Sequence, residues 1–333
     1  MVLVQNYTLA VFLCALAMIC WGSWQNTQNL TGKSWRFELF YWDFSLGIVV
    51  FALLMAFTFG SYGNEGRSFL PDLEQADAKN LLSAAIGGAI WNLGTLLLVA
   101  SISIAGMSVA FPIGGGIGWT LGIFINYLGK PEGNPYFLFG GTLFIIIAIF
   151  LSMKSYKKLA SQQKKPTFKG IILSVLAGLC IAFFYRFVAS SLATDFSPAD
   201  AGKISSYTAV VFFSLGAFIS TILLNPIFMA KPVQGEPVKM SSYLKGSYKV
   251  HLIGMLGGAI WCLGNSVSFM AVGAASPAIS YGLSNSAPVV AAIWGIFVWK
   301  EFKGAPKGTN TFLFLMFLCY LAGLGLIIYS RYA

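Results

Sequence analysis

The chain is 333 residues long, with hydrophobic residues at 57% and charged residues at only 10%. Soluble globular domains carry about 25% charged residues, so an ordinary soluble enzyme and a disordered chain are both excluded; apolar runs broken by short polar gaps indicate a multi-span membrane protein. The net charge of +10, from 21 Lys and Arg against 11 Asp and Glu, sits in short loops between apolar runs, where cations set membrane orientation rather than mark nucleic-acid binding.

A helix needs about 20 apolar residues to cross the hydrocarbon layer. Ten segments qualify, which predicts an all-α integral membrane protein of ten transmembrane helices: 7–27, 38–60, 80–100, 103–128, 136–155, 169–191, 203–228, 251–272, 275–299 and 311–331. None alternates apolar and polar residues as barrel strands do. The first run has no basic n-region and no small-residue cleavage site, so it reads as a retained span rather than a signal peptide. Cys14, Cys20, Cys180, Cys262 and Cys319 lie within apolar runs without metal-type pairing and read as small packing residues. The lone His251 stands at a loop edge without nearby partners, so neither a metal nor a cofactor is expected.

Polar groups within spans are costly, about 2.5–3.5 kcal/mol for a charge at the helix centre, and those present are candidates for a cavity. In span 1, Trp21, Trp24 and Gln25 share one helical face by their i, i+3, i+4 spacing; they suit a flat or ring-shaped polar ligand, or alternatively an interfacial aromatic belt. In span 2, Asp43 lies about 9 Å past the helix start at 1.5 Å per residue. It is the candidate proton-coupling group, the alternative being a shallow, solvated carboxylate balanced by Lys33 or Arg36. Span 3 offers Asn92 and Thr95 beside Trp91, and span 8 offers Asn265 beside Trp261, as cavity lining or core packing.

Spans 4 and 9 read as interrupted. Span 4 carries Pro112, Gly114, Gly115 and Gly116; span 9 carries Tyr281, Ser284, Asn285 and Pro288. Proline and glycine weaken the backbone ladder and free carbonyls to line a cavity, while small residues also serve close helix packing. Pro112, the three glycines and Pro288 are therefore hinge candidates, and Tyr281, Ser284 and Asn285 are candidate ligand contacts. The glycine run lacks the Lys-Ser/Thr ending of a phosphate-binding loop. In span 6, Arg186 beside Tyr185 suits a substrate carbonyl or carboxylate, or else snorkels to the surface.

Loops after odd-numbered spans hold 15 of the Lys and Arg residues; the other loops and the C-terminus hold 5. The basic side is expected to be cytoplasmic and both termini outside, in a plasma or inner membrane. The segment Gly87-Gly88-Ala89-Ile90-Trp91-Asn92-Leu93-Gly94 recurs at seven of eight positions as Gly257-Gly258-Ala259-Ile260-Trp261-Cys262-Leu263-Gly264, 170 residues on, and Gly122-Ile123-Phe124 recurs as Gly295-Ile296-Phe297. The expected organisation is a first five-helix repeat over 1–157, a short basic linker over 158–168 and a second five-helix repeat over 169–333. Five spans per copy place the second copy upside down, the inverted-repeat pattern of secondary transporters.

Taken together, Cys20-Trp21-Gly22-Ser23-Trp24, Trp42-Asp43-Phe44-Ser45, Asn126-Tyr127-Leu128, Phe196-Ser197-Pro198, Tyr207-Thr208-Ala209, Leu224-Asn225, Leu263-Gly264-Asn265, Trp294-Gly295-Ile296 and Glu301 resemble the drug/metabolite transporter superfamily. Within it, the chain is most similar to the ureide permeases and the related glucose/ribose porters, over nearly its whole length. The resemblance implies a secondary active, proton-driven importer of a small polar uncharged metabolite such as a ureide, nucleobase or sugar, working by alternating access as a monomer or homodimer. Plant ureide permeases have a longer central loop with a nucleotide-binding-like motif, which the stretch from Ser155 to Lys169 lacks. Competing readings are a drug/metabolite exporter of the same superfamily and a ligand-sensing membrane protein without transport. An integral-membrane enzyme is not expected, since no His-Glu-x-x-His motif, Cys/His pair or cluster of intramembrane carboxylates occurs.

Overall fold

A computed structural model describes residues 1–32, 35–159, 167–233 and 235–333. Lys33, Lys164, Lys165 and most of the expected 158–168 linker lie outside the described residues. The described chain is helical apart from loops and one isolated parallel bridge, Leu192 to Ile204. In order the helices are α1 (Tyr7–Ser23), α2 (Gln25–Leu30), α3 (Phe37–Phe57), α4 (Phe69–Gln75), α5 (Ala78–Ala105), α6 (Met107–Gly129) and α7 (Pro135–Leu159). There follow α8 (Phe168–Ser191), α9 (Ser206–Ala230), α10 (Met240–Leu244), α11 (Tyr248–Ala275), α12 (Pro277–Ser284), α13 (Pro288–Ile293) and α14 (Thr309–Tyr329). Among the described residues nine helical stretches are long and apolar enough to cross a membrane, counting α1 with α2 and α12 with α13 and its π-helical end as single stretches. The 23-residue α6 is a further long helix and packs against α8.

Two departures from the sequence reading have local causes. Helices α5 and α11 each run 28 residues, past the windows 80–100 and 251–272, because a hydropathy window ends where polarity begins whereas the helix continues until its backbone turns. The turns come at Gly106 (φ 79°, ψ 155°) and Ser276 (φ 75°, ψ 157°), a matching pair 170 residues apart. Span 4, expected to be interrupted, is one continuous helix with Pro112 inside it. Span 9 does break, at Asn285–Ala287, between α12 and α13.

Close helix crossings explain why glycine recurs at fixed places. A Cβ on Gly88 of α5 would strike the Phe213 carbonyl of α9, and one on Gly216 of α9 would strike the Ala85 carbonyl of α5. The second copy of the motif does the same: Gly258 of α11 abuts the Phe44 carbonyl of α3, and Gly47 of α3 abuts Met255 of α11. Lipid gives no hydrophobic drive for helix association, so small residues that let backbones approach supply the contact. The helix carrying each copy of the motif thus packs closely on a helix distant in sequence, α5 on α9 and α11 on α3.

The short connecting helices follow the same pairing. Helix α4, after α3, reaches the start of α9: buried Asp72 accepts from the Ser205 amide at 2.7 Å, the Thr208 hydroxyl at 2.6 Å and the Arg67 guanidinium at 3.0 Å. Helix α10, after α9, reaches the start of α3, where the Tyr243 hydroxyl donates to Asp43 at 2.6 Å.

Candidate functional site

The spans enclose a cavity of about 250 Å³. Its inner wall is aromatic because the motif Gly-Gly-Ala-Ile-Trp occurs on both α5 and α11 and brings its two tryptophans into contact, their rings tilted by 34°. The ring centroids of Trp91 and Trp261 are 4.0 Å apart. Trp21 stacks on Trp261 at 5.9 Å and 20°, and its indole N–H donates to the Trp261 carbonyl at 3.2 Å. Phe213 backs Trp261 at 5.8 Å and 16°. Trp119 of α6 donates to the Gly282 carbonyl at 3.0 Å, tying α6 to α12.

From this wall the cavity runs past Thr95, Val99 and Ile102 of α5 and past Ile149, Met153 and Tyr156 of α7. That direction leads to the face bearing Lys154, Lys157 and Lys158. At the rim the Tyr156 hydroxyl lies 3.3 Å from Glu301, while Trp294 and Trp299 donate to Ser23 and Asn26 at 2.9 and 2.6 Å. The opposite end is closed: Tyr185 and Tyr281 are fully buried and line no part of the cavity.

The polar lining is sparse and uncharged. Thr95 donates its hydroxyl to the Trp91 carbonyl at 3.0 Å. Asn285 donates to the Tyr281 carbonyl at 3.1 Å, leaving its own carbonyl oxygen. Gln25 has no hydrogen-bond partner among the described residues. No Asp, Glu, Lys, Arg or His lines the cavity among those residues. A charged ligand would be desolvated there without a counter-charge; a small neutral ligand with a flat apolar face and a polar edge would find both stacking and hydrogen bonds.

The structure gathers some of the sequence-predicted residues and separates others. Trp21, Trp24, Gln25, Thr95 and Asn285 line the cavity, as do the hinge candidates Pro112, Gly115, Gly116 and Pro288. Gly114 instead packs on the Ser174 carbonyl of α8. Asn92 lies behind the aromatic wall, accepting from Tyr41 at 2.7 Å and donating to Ser220 at 2.9 Å. Arg186 rests against Gly129 of α6. Tyr185, Asn265, Tyr281 and Ser284 are buried beyond the closed end.

Asp43 is also outside the cavity. It is buried, bonded to Tyr243, and 2.9 Å from His251 Nδ1; Arg36 pairs with Glu38 instead. An ionised Asp43 requires the proton on His251 Nδ1. Burial, then the Asp43 bond, pushes the Tyr243 phenol above its ordinary value, so it remains a donor. The sequence reading treated His251 as isolated. Its signal was positional: Asp43 is seven residues into α3 and His251 four residues into α11, both at helix ends expected on the basic side. Trp119, Tyr156 and Tyr320 were also missed as lining; of these only Trp119, one turn beyond Gly115, carries a sequence cue.

The sequence model of the ureide permease family matches residues 40–166 and 157–330. The chain is 23% identical to "Ureide permease 1" and 24% identical to "Ureide permease 2" of Arabidopsis thaliana, each alignment covering 99% of both chains. It is 25% identical to "Probable glucose uptake protein GlcU" of Staphylococcus aureus over 73% of this chain and 76% of that protein.

Proposed function

The chain belongs to the ureide permease family, and from that premise we propose that it is a proton-coupled secondary transporter importing a small polar uncharged metabolite, such as a ureide, nucleobase or sugar, by alternating access. It is an integral, multi-pass membrane transporter and not an enzyme. The observation that carries the reading is the larger cavity, uncharged among the described residues, aromatic on one side, edged by Gln25, Thr95 and Asn285, and sealed on the side of buried Tyr185 and Tyr281. Its volume falls just below the range of about 300–1,000 Å³ usual for small-molecule sites, which favours a compact metabolite over the bulky cargo of a drug exporter.

In this proposal ten spans form two inverted five-helix repeats, 1–157 and 169–333, with α6 as the fourth span and both termini outside. The reciprocal crossings of α5 with α9 and of α11 with α3, and the matching backbone turns at Gly106 and Ser276, support it. Asp43 is the proposed proton-coupling group, with His251 as its exchange partner.

The test is uptake into proteoliposomes of labelled allantoin, uracil and glucose under an imposed pH gradient. Uphill accumulation of one of them, abolished by an uncoupler and by Asp43→Asn, is the expected result. Saturable binding without flux would assign a sensor instead, and net export would assign the exporter reading.

A further inference from the structure

Beyond the closed end of the cavity lies a fully buried polar cluster that core packing does not require. The Tyr185 hydroxyl of α8 is 3.0 Å from Ser268 of α11 and 3.0 Å from Ser280 of α12. Ser280 donates to the Ser268 carbonyl at 2.8 Å, and the Cys14 thiol of α1 reaches Ser280 at 3.6 Å. Four spans therefore meet through hydroxyl and thiol groups. Next to them, both amide atoms of Asn265 and the hydroxyl of Ser284 are buried without any hydrogen-bond partner. Burying unpaired polar atoms carries a desolvation penalty with no return in packing, and an arrangement in which they are wet would remove it.

The repeat identifies that arrangement. The register of 170 residues maps cavity-lining Thr95, Leu98, Val99 and Ile102 of α5 onto Asn265, Ser268, Phe269 and Val272 of α11. The side-chain caps of α1 and α8 set the register of the first pair of spans. Asn6 accepts from the amide three residues on, and Thr167 does the same, which maps Trp24 and Gln25 onto Tyr185 and Arg186. Three residues that wall the open half, Trp24, Thr95 and Leu98, thus have their counterparts in the sealed cluster, as Tyr185, Asn265 and Ser268, whereas Arg186 rests against Gly129 outside it. Moreover, Phe269 and Val272 line a second, small cavity of about 20 Å³ on the far side of the cluster, covered by Met1, Leu3 and Val4.

We propose that the Tyr185–Ser268–Ser280 cluster, with Asn265 and Ser284, is the closed gate of the pathway to the face opposite the lysine-rich one, and that it opens as the present cavity closes. The inference rests on the inverted-repeat, alternating-access reading above. On opening, the hydroxyls and the unpaired amide become the polar lining of the opposite vestibule, and the space behind Phe269 and Val272 joins it.

Cys14 is a native reporter of the gate. The experiment uses the full chain with Cys20, Cys180, Cys262 and Cys319 replaced by Ala, and a membrane-impermeant maleimide supplied to one face at a time, by adding it to intact cells for the outer face and to inside-out membrane vesicles for the inner one. Cys14 should react slowly from the face opposite the lysines. Tyr185→Phe, and separately Ser280→Ala, should raise that rate about five- to tenfold, the population shift expected from losing a hydroxyl's net bonds. In a companion chain carrying Thr95→Cys and Cys14→Ala, the same substitutions should slow labelling from the lysine-rich face, a reciprocal change that local unfolding would not produce. Labelling of Cys14 that is unchanged in both variants, or that occurs only from the lysine-rich face, overturns the gate. Labelling reads the gate without any substrate: reciprocal rates without flux would retain the gate and reject the transport assignment, while flux with an inert Cys14 would do the reverse.

Discussion

Gly88→Ala and Gly258→Ala test the architecture most directly. Each new methyl group would meet a backbone carbonyl of the crossing helix, Phe213 in one case and Phe44 in the other. A side chain could rotate aside; a carbonyl held in a helix ladder cannot. Alanine gains about 0.8–1 kcal/mol over glycine in helix propensity, whereas overpacking costs about 1–3 kcal/mol, with the upper end appropriate to a rigid obstacle. The net expectation is a loss of about 2 kcal/mol at each site, similar in both because the contacts are alike. Gly140 of α7 supplies the control, since nothing lies within 4 Å of its Cβ position; Gly140→Ala should gain about 1 kcal/mol. Thermal unfolding of the purified proteins in one detergent should place Gly140→Ala above the parent and the other two together below it. If either crossing variant melts at or above Gly140→Ala, close backbone approach does not hold the bundle and the proposed exchange of helices between the halves loses its main support.

Other substitutions probe the site and its supports. Trp261→Ala, which removes the ring that stacks with Trp21, Trp91 and Phe213, should weaken uptake affinity about tenfold from lost aromatic contacts of about 0.5–1.5 kcal/mol, with Trp261→Phe retaining most of it in the same labelled-uptake assay. Asp72→Ala strips the buried acceptor of Arg67, Ser205 and Thr208 and should cost roughly 3 kcal/mol in a melting curve, the low end for breaking a buried pair. Asp200 is held below the ordinary carboxylate range: burial works against this, but the Lys203 bond and the Asp195 and Thr194 amides prevail. Its contribution is therefore present above about pH 3.9 and lost as pH falls below that, so Asp200→Asn should flatten the melting temperature between pH 5 and pH 2. Ser276 occupies a glycine-type conformation costing about 1–3 kcal/mol, so Ser276→Gly should raise the melting temperature, and Gly106→Ser should lower it.

Much of the architecture was legible in the sequence because the hydrocarbon layer imposes it. Long apolar runs, lysines gathered after odd-numbered spans and the recurrence of Gly87–Gly94 at Gly257–Gly264 are local patterns that need no folded structure to be seen. Helices α4 and α10 were not legible: seven and five residues long, they are too short to show periodicity, and they hold their places through the bonds of their own Asp72 and Tyr243 to the distant helices α9 and α3. Continuity through Pro112 was misjudged for a related reason, since a proline reports a missing donor but not whether neighbouring helices keep the backbone straight.

The site divides along the same line. Polar residues inside spans stand out because each is expensive in lipid, and Trp21, Trp24, Gln25, Thr95 and Asn285 were found that way. Tyr185, Asn265, Tyr281 and Ser284 carry the same signal, yet line nothing open in this conformation. Sequence records the sum of the environments a side chain must tolerate, whereas one structure records a single arrangement. A helix face that is wet in one state and sealed in another therefore looks identical in sequence to a face that is always wet. In the proposed alternating-access cycle the copy-to-copy register would separate the two, because Thr95 and Asn265 are matched across the recurring motif while only Thr95 borders the cavity. Asp43 and His251 show the limit of that logic. They have no counterparts in the other copy, so only the packing of α3 on α11 could bring them together.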